Sequence, residues 1–362
     1  WPHPHRHAVL LAVDLANTPQ DSDLDIGKLA VALGGRASYY VLTEHAADPE
    51  AAAVLGKIKA QGHELAYLAD RFEGYKELST AAQAKRLDLM LAELKGIGVT
   101  PGAGMHPPMD LYDATTLRLA QARAIGHMVV GQDGTDARLP YFAPAPAAAA
   151  AAPAAPAAAP AAPAAPAAAP AAPAAPAAAP AAPAAPAAPM ILLPRTHSGP
   201  EDLMAEGDAA VGMRAFLGEL ALAEQMSALS VVQMLGQSTL TAAQMATIGA
   251  DLTARRGRSW MASGAELAHW WRGRTRLAAS IDTASAPPVL SVTIDGAGPM
   301  TPGAAVWVNL PVRGSAVRLA PLPGTASAPA VAKVDAWRNA VLLQGLAPGT
   351  YRWHVLFERV AP

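Results

Sequence analysis

The amino-acid sequence predicts a mixed α/β fold: a parallel sheet or α/β barrel, split by an insertion and followed by an antiparallel β domain. Three observations predict it. Residues 7–142 alternate between strand-like apolar runs and segments with helical spacing, the pattern of parallel strands joined by helices. Residues 143–189 contain only Ala and Pro, and the alternation resumes directly after them. Beyond "TASAPP", residues 283–288, short alternating runs are separated by Gly/Pro turns, as in an antiparallel β-sandwich.

The elements follow in order. "AVLLAVDLA" reads as a buried strand, and "SDLDIGKLAVAL" as a helix whose early Asp residues suit the positive end of its dipole. "ASYYVLT" is a strand, and "DPEAAAVLGKIKAQG" a helix with Pro in its first turn and Gly at its end. "HELAYLA" is a third strand, and "STAAQAKRLDLMLAELKGIG" a helix capped by Ser79 or Thr80. "GAGMHP", the helix "DATTLRLAQARAIG" and the strand "HMVVGQ" continue the series. In the Ala/Pro tract each Pro removes an amide donor and clashes with the preceding turn, so polyproline II or disorder is expected rather than helix. The tract has no Ser or Thr to carry sugars, and a surface spacer inside one domain is the expectation. It leaves from "ARLPYF" and returns into the strand "MILLPRT". A largely helical 199–226, the strand "LSVVQML", the helix "TLTAAQMATIGADLTARRG", the strand "SWMAS" and the helix "GAELAHWWRGRTRLAASI" complete this domain, expected as 1–142 with 190–282. The β domain is expected over 286–362.

The 362 residues carry a net charge of −2, which gives no electrostatic reason to expect a nucleic-acid partner. No stretch reaches the length of a membrane span. The absence of cysteine excludes disulfides and thiol catalysis. The chain begins at Trp1 rather than Met, as removal of a leader or anchor would leave it.

Several stretches occur in one order: "GHELAY" followed by "QAKRLDLM", then "HPPMDLYDATT", "ARLPYF", "LLPRT" and "SWMASGAELAHWWRGR". On these, residues 5–276 resemble the NodB-homology polysaccharide deacetylases, carbohydrate esterase family 4. The resemblance implies a distorted (β/α) barrel with its site at the carboxyl ends of the strands. It also implies a divalent metal held by an Asp and two His, an Asp base and a His that protonates the leaving amine. Carried over, the base falls on Asp14. The metal-ligand Asp falls on Leu15 or Ala16, the two metal His on Leu68 and Phe72, and the leaving-group His on Leu235. The Arg-Pro-Pro motif reads His106-Pro107-Pro108. A Leu/Phe/Leu cluster cannot coordinate a cation, so no metal and no cofactor is expected, with hydrocarbon filling the former cavity.

Other residues carry alternatives. His106, Pro107, Tyr112 and Arg195 are candidates to line a surviving sugar groove; for Arg195 a structural ion pair is the competing reading. His63 reads as a structural histidine, and Asp70 as a poor substitute ligand. His3, His5 and His7 alternate and would share a side if extended, though a flexible terminus is the simpler reading. Asp21, Asp23 and Asp25 lack the remaining signals of a calcium loop, so a helix start is preferred. Trp270 and Trp271 read as packing, and at least one of Trp307 and Trp353 as core. The expected function is a degenerate, non-hydrolysing, carbohydrate-binding or structural protein of the bacterial periplasm, cell surface or extracellular matrix. Its partner would be a polysaccharide, with protein assembly through the β domain. The alternatives are an active deacetylase that uses Asp14 with His106 or His197 recruited, and a purely structural subunit.

Overall fold

The computed structural model describes residues 1–45, 48–100, 102–131, 137–144, 189–196, 198–205, 207–324 and 327–358. The α/β part runs β1 (His7–Leu15), α1 (Leu24–Ala32), β2 (Ser38–Leu42), α2 (Pro49–Ala60), β3 (Glu64–Ala69), α3 (Thr80–Gly96), α4 (Ala114–Ala122), β4 (His127–Val130), β5 (Tyr141–Phe142), β6 (Ile191–Pro194), α5 (Pro200–Ala205), α6 (Ala209–Gln225), β7 (Leu229–Leu235), α7 (Ala242–Arg255), β8 (Ser259–Met261) and α8 (Gly264–Arg274). The Ala/Pro stretch 145–188, with its expected spacer conformation, lies outside the described residues.

β1 is buried along its whole length, as an apolar run covered on both faces must be. It pairs in parallel with β7 throughout, with β8 at its start and with β2 at its end. β2 continues to β3. Met105 then bridges Tyr67 of β3 to Met128 of β4, and β4 pairs with β6, which pairs with β5. Among the described residues no ladder joins β6 to β7. The strands therefore form a mainly parallel α/β arc, with helices packed on it.

Local chemistry sets the helix starts. Asp48, Ser79, Asp113, Asp208, Thr241 and Ser263 each accept a backbone N–H at the first turn of their helix. Each such cap contributes about 0.5–2 kcal/mol.

Two expected helices differ. Residues 199–226 form two helices, α5 and α6, because Gly207 adopts a positive φ of 151° and Asp208 opens a new helix. The helix expected to reach residue 281 stops at Arg274, where two arginines suit the negative end of the dipole. The following residues form a strand, β9 (Leu277–Asp282), which pairs antiparallel along its full length with β10 (Val289–Ile294). The tertiary partner overrides a helical pattern that the sequence alone carries.

The C-terminal strands continue with β11 (Ala305–Asn309), β12 (Ala316–Pro321), β13 (Val331–Lys333), β14 (Arg338–Leu342) and β15 (Gly349–Glu358). They form two antiparallel sheets, β12-β15-β10-β9 and β11-β14-β13. Leu290, Val292, Val308, Leu319, Val341 and fully buried Trp353 share one core between them. The antiparallel region thus begins at Leu277, ahead of "TASAPP". The N-terminal segment ties it to the α/β part: His3 N–H donates to Gly303 O at 2.8 Å, and Arg6 pairs with Asp335 at 3.2 Å.

Candidate functional site

The carried-over residues gather at the carboxyl ends of the parallel strands. Asp14 is the penultimate residue of β1, and its register partner on β7 is Leu235. Leu68 is next to last on β3. His106 follows the bridging residue Met105, and its N–H donates to Tyr67 O at 2.9 Å. Arg195 follows β6, and its N–H donates to Val130 O.

Four charged groups form a chain here, with Asp14 and His106 buried and Asp110 and Arg195 half-buried. His106 Nδ1 lies 2.8 Å from Asp14 Oδ1, and its Nε2 lies 3.3 Å from Asp110 Oδ1. The other oxygen of Asp110 accepts from the Arg195 guanidinium. The other oxygen of Asp14 accepts from Gln233 Nε2 at 2.7 Å. Asp14 is 4% exposed and His106 1%. The Tyr40 ring meets the His106 ring edge-on, with centroids 5.5 Å apart. Signs alternate along the chain, so two carboxylates offset an imidazolium and a guanidinium. Burial alone would lower the His106 pKa; Asp14 and Asp110 more than offset it and raise it to about 9. Burial raises that of Asp110, but His106 and Arg195 hold it down at about 2. With both ring nitrogens donating to carboxylates, His106 has no lone pair with which to accept a proton.

The backbone is strained to build this. Met109 and Asp110 both adopt positive φ, 57° and 54°, which costs about 1–3 kcal/mol for each non-glycine residue. Gly131 makes room, because a Cβ there would lie 2.7 Å from Asp110 Cγ.

The apolar residues at the carried-over positions behave in two ways. Leu68 and Leu15 are fully buried in the core, and a Cβ on Gly236 would come within 2.8 Å of Leu15 Cδ2. Phe72 and Leu235, expected in the same filling, are instead 46% and 38% exposed. Phe72 rides on the loop after β3, and Leu235 stands where β7 leaves the sheet. Phe72 lies beyond the end of β3, whereas Leu235 is still paired with Asp14 and is exposed at the last position of β7.

The remaining candidates also find places. Pro107 is buried and Tyr112 half-buried against the core. Arg195 holds the Asp110 carboxylate, the structural ion pair weighed for it. Asp70 is taken by Arg86, whose Nε lies 2.7 Å from its Oδ1. His63 is buried and packs against Tyr39. Asp21 pairs with Lys57 and Asp25 with Lys28, while Asp23 accepts the Gln20 and Gln237 N–H groups. His7 is buried in β1 between Ser230 and Ser259, so the three N-terminal histidines do not share one extended side. Trp270, Trp271 and Trp353 are buried. His197 lies outside the described residues.

Sequence reading passed over Asp110, Gln233, Arg86 and Glu201. Asp110 stands four residues after His106, and Gln233 is the one polar residue in "VVQML". Glu201 is buried beside Leu235, accepts from Ser238 Oγ at 2.7 Å, and has its pKa raised by burial.

The residues do not fit the metal of the resemblance. The ligand positions hold Leu15, Ala16, Leu68 and Phe72, and no three His, Cys, Asp or Glu side chains converge as a metal site among the described residues.

Solved structures match the fold. An assigned polysaccharide deacetylase from Mycobacterium smegmatis superposes with a TM-score of 0.54 at 14% identity, over 76% of this chain and 93% of that one. Puue allantoinase gives 0.53 at 12% identity, over 75% and 92%. Agd3, a carbohydrate deacetylase, gives 0.53 at 11% identity, over 98% of this chain and 66% of that one. This chain has the fold of the NodB-type polysaccharide deacetylases. No family model and no curated protein matches it. The Agd3 match spans the C-terminal sheets as well as the α/β part, so the deacetylase-like fold and its β region recur together in one other chain.

Proposed function

We propose that this protein is a degenerate polysaccharide deacetylase that binds carbohydrate without hydrolysing it. One observation carries the reading: the Asp14 carboxylate is buried and bonded on both oxygens, to His106 and Gln233, while the flanking ligand positions are hydrocarbon. A base must reach its water, and a metal site needs donors. The deacetylase-like fold supports a polysaccharide as partner, because the scaffold can outlast its catalytic groups. A polysaccharide partner in turn supports a periplasmic, cell-surface or extracellular place. No helix among the described residues is long and apolar enough to cross a membrane. We take the strand arc as a distorted barrel of this family, 1–142 with 190–276, and the C-terminal sheets as a β-sandwich appended to it.

The test is acetate release from acetylated chitooligosaccharides with zinc, cobalt or manganese supplied, beside metal analysis and glycan-array binding. Binding with no acetate release and no stoichiometric metal is expected. Acetate release that is lost on Asp14→Asn would overturn the reading in favour of an active enzyme with an altered site.

A second reading, a structural subunit, is favoured by the apolar side chains at the strand ends. Phe72, Met109, Leu111 and Leu235 are all exposed there. A concentration-dependent change in mass, absent in a Phe72→Ser/Leu235→Ser variant, is what that reading expects.

A further inference from the structure

We propose that the cavity where the α/β part meets the C-terminal sheets binds an acidic saccharide, a sugar that carries a carboxylate. The cavity measures about 390 Å³. Small-ligand sites run to about 300–1,000 Å³ and favour domain junctions. It lies at the other end of β1 from the Asp14 chain: Arg6, just before β1, lines it, and Asp14 is the penultimate residue of that strand, which rises about 3.3 Å per residue.

Its walls are indoles drawn from three places. Trp1 comes from the N-terminal segment, Trp270 and Trp271 from α8, and Trp307 from β11. The first three form one cluster, with ring centroids 5.7–6.3 Å apart. Trp307 keeps 37% of its surface exposed. An indole face is flat, apolar and electron-rich, and it suits the C–H face of a pyranose ring.

The charge in the cavity is one-sided. Arg6 and Arg274 line it, and among the described residues no Asp or Glu does. Arg6 is already paired with Asp335. The Arg274 side chain makes no hydrogen bond or ion pair among the described residues, and its guanidinium lies 4.6 Å from the Trp271 ring centroid. A guanidinium stacked on an indole keeps its N–H edges free, and a carboxylate matches that fork in bidentate fashion. The apolar wall strengthens such a pair relative to open water. Stacking and charge thus point to one ligand bearing both a ring face and a carboxylate. The saccharide half of this inference rests on the carbohydrate reading above; the anion half rests on the cavity alone.

The experiment titrates the full chain with digalacturonate, with its neutral galactose counterpart and with acetate, followed by tryptophan fluorescence and calorimetry. Digalacturonate should bind at least tenfold more tightly than either control. Arg274→Gln and Trp307→Ala should each weaken it at least tenfold with unchanged circular dichroism, and Leu235→Arg should leave it unchanged. Equal binding of the neutral sugar, or wild-type affinity in Arg274→Gln, overturns the proposal. If glycans bind but only Leu235→Arg abolishes it, the cavity assignment fails and the carbohydrate reading stands. If no glycan binds at all, both fail.

Discussion

His106 shows how one residue can alter a site. Its imidazole bridges Asp14 and Asp110, and it is charged to do so. Its pKa stands at about 9, above the ordinary 6.5. The stability it contributes is therefore fully present below about pH 6.5 and is lost as pH rises through about 9. Asp110, held at about 2 against an ordinary 3.8, works the other way. Its contribution is present above its ordinary value and is lost as pH falls through about 2. Urea midpoints should fall between pH 7 and 10, and His106→Gln should lower the midpoint at pH 7 and remove that slope. An identical slope in the variant would show that another group titrates. Leu68 and Phe72, both standing where imidazoles are expected, should respond differently. Leu68→Ala opens a cavity in the core and should cost about 2–5 kcal/mol. Phe72→Ala, on an exposed loop, should stay within about 0.5 kcal/mol by the same denaturation measurement.

At the scale of the element, the loop after β3 is held from below by α3. Arg86 is buried, and besides Asp70 it donates to the carbonyls of Gly74 and Glu73, both at 2.8 Å. Its guanidinium stacks 4.5 Å from the Tyr75 ring centroid. This one side chain turns the loop so that Phe72 faces out and Asp70 faces in. Arg86→Leu would leave a buried carboxylate without its partner, a loss of about 3–5 kcal/mol. Adding Asp70→Asn should recover part of it. Faster tryptic cleavage after Arg71 in the single variant is the second readout, and unchanged cleavage would mean that the loop is fixed by something else.

At the scale of the whole molecule, the Ala/Pro tract interrupts the α/β part without breaking it. Phe142 pairs with Ile191, so the chain leaves and re-enters the sheet on neighbouring strands. Replacing residues 145–188 by a six-residue Gly/Ser loop should leave the melting temperature unchanged or raise it. Each halving of a flexible loop returns only about 0.6 kcal/mol. A melting temperature lowered by several degrees would show that the tract itself packs on the domain. The contacts of the N-terminal segment with Gly303 and Asp335 join the two parts around the tryptophan-lined cavity.

The sequence by itself determined the order of elements, because hydrophobic period, caps and turn residues act within a few positions of one another. Ser79, Asp48 and Asp113 cap the helices that their spacing announced. The deacetylase frame was legible too, since motifs such as "GHELAY" and "QAKRLDLM" keep their order. The resemblance also placed apolar side chains, Leu15, Leu68, Phe72 and Leu235, at the positions where it implies donors. Only the tertiary structure decided which of these four fill the core and which face solvent, because that depends on what packs over each strand end. It alone brought Asp110 and Gln233, 123 positions apart by number, onto one histidine–aspartate pair. It alone made residues 277–282 a strand, through a partner that a local pattern cannot see. The physical reason is shared: local signals choose a conformation, but burial and pairing are properties of surfaces that meet only when the chain is folded.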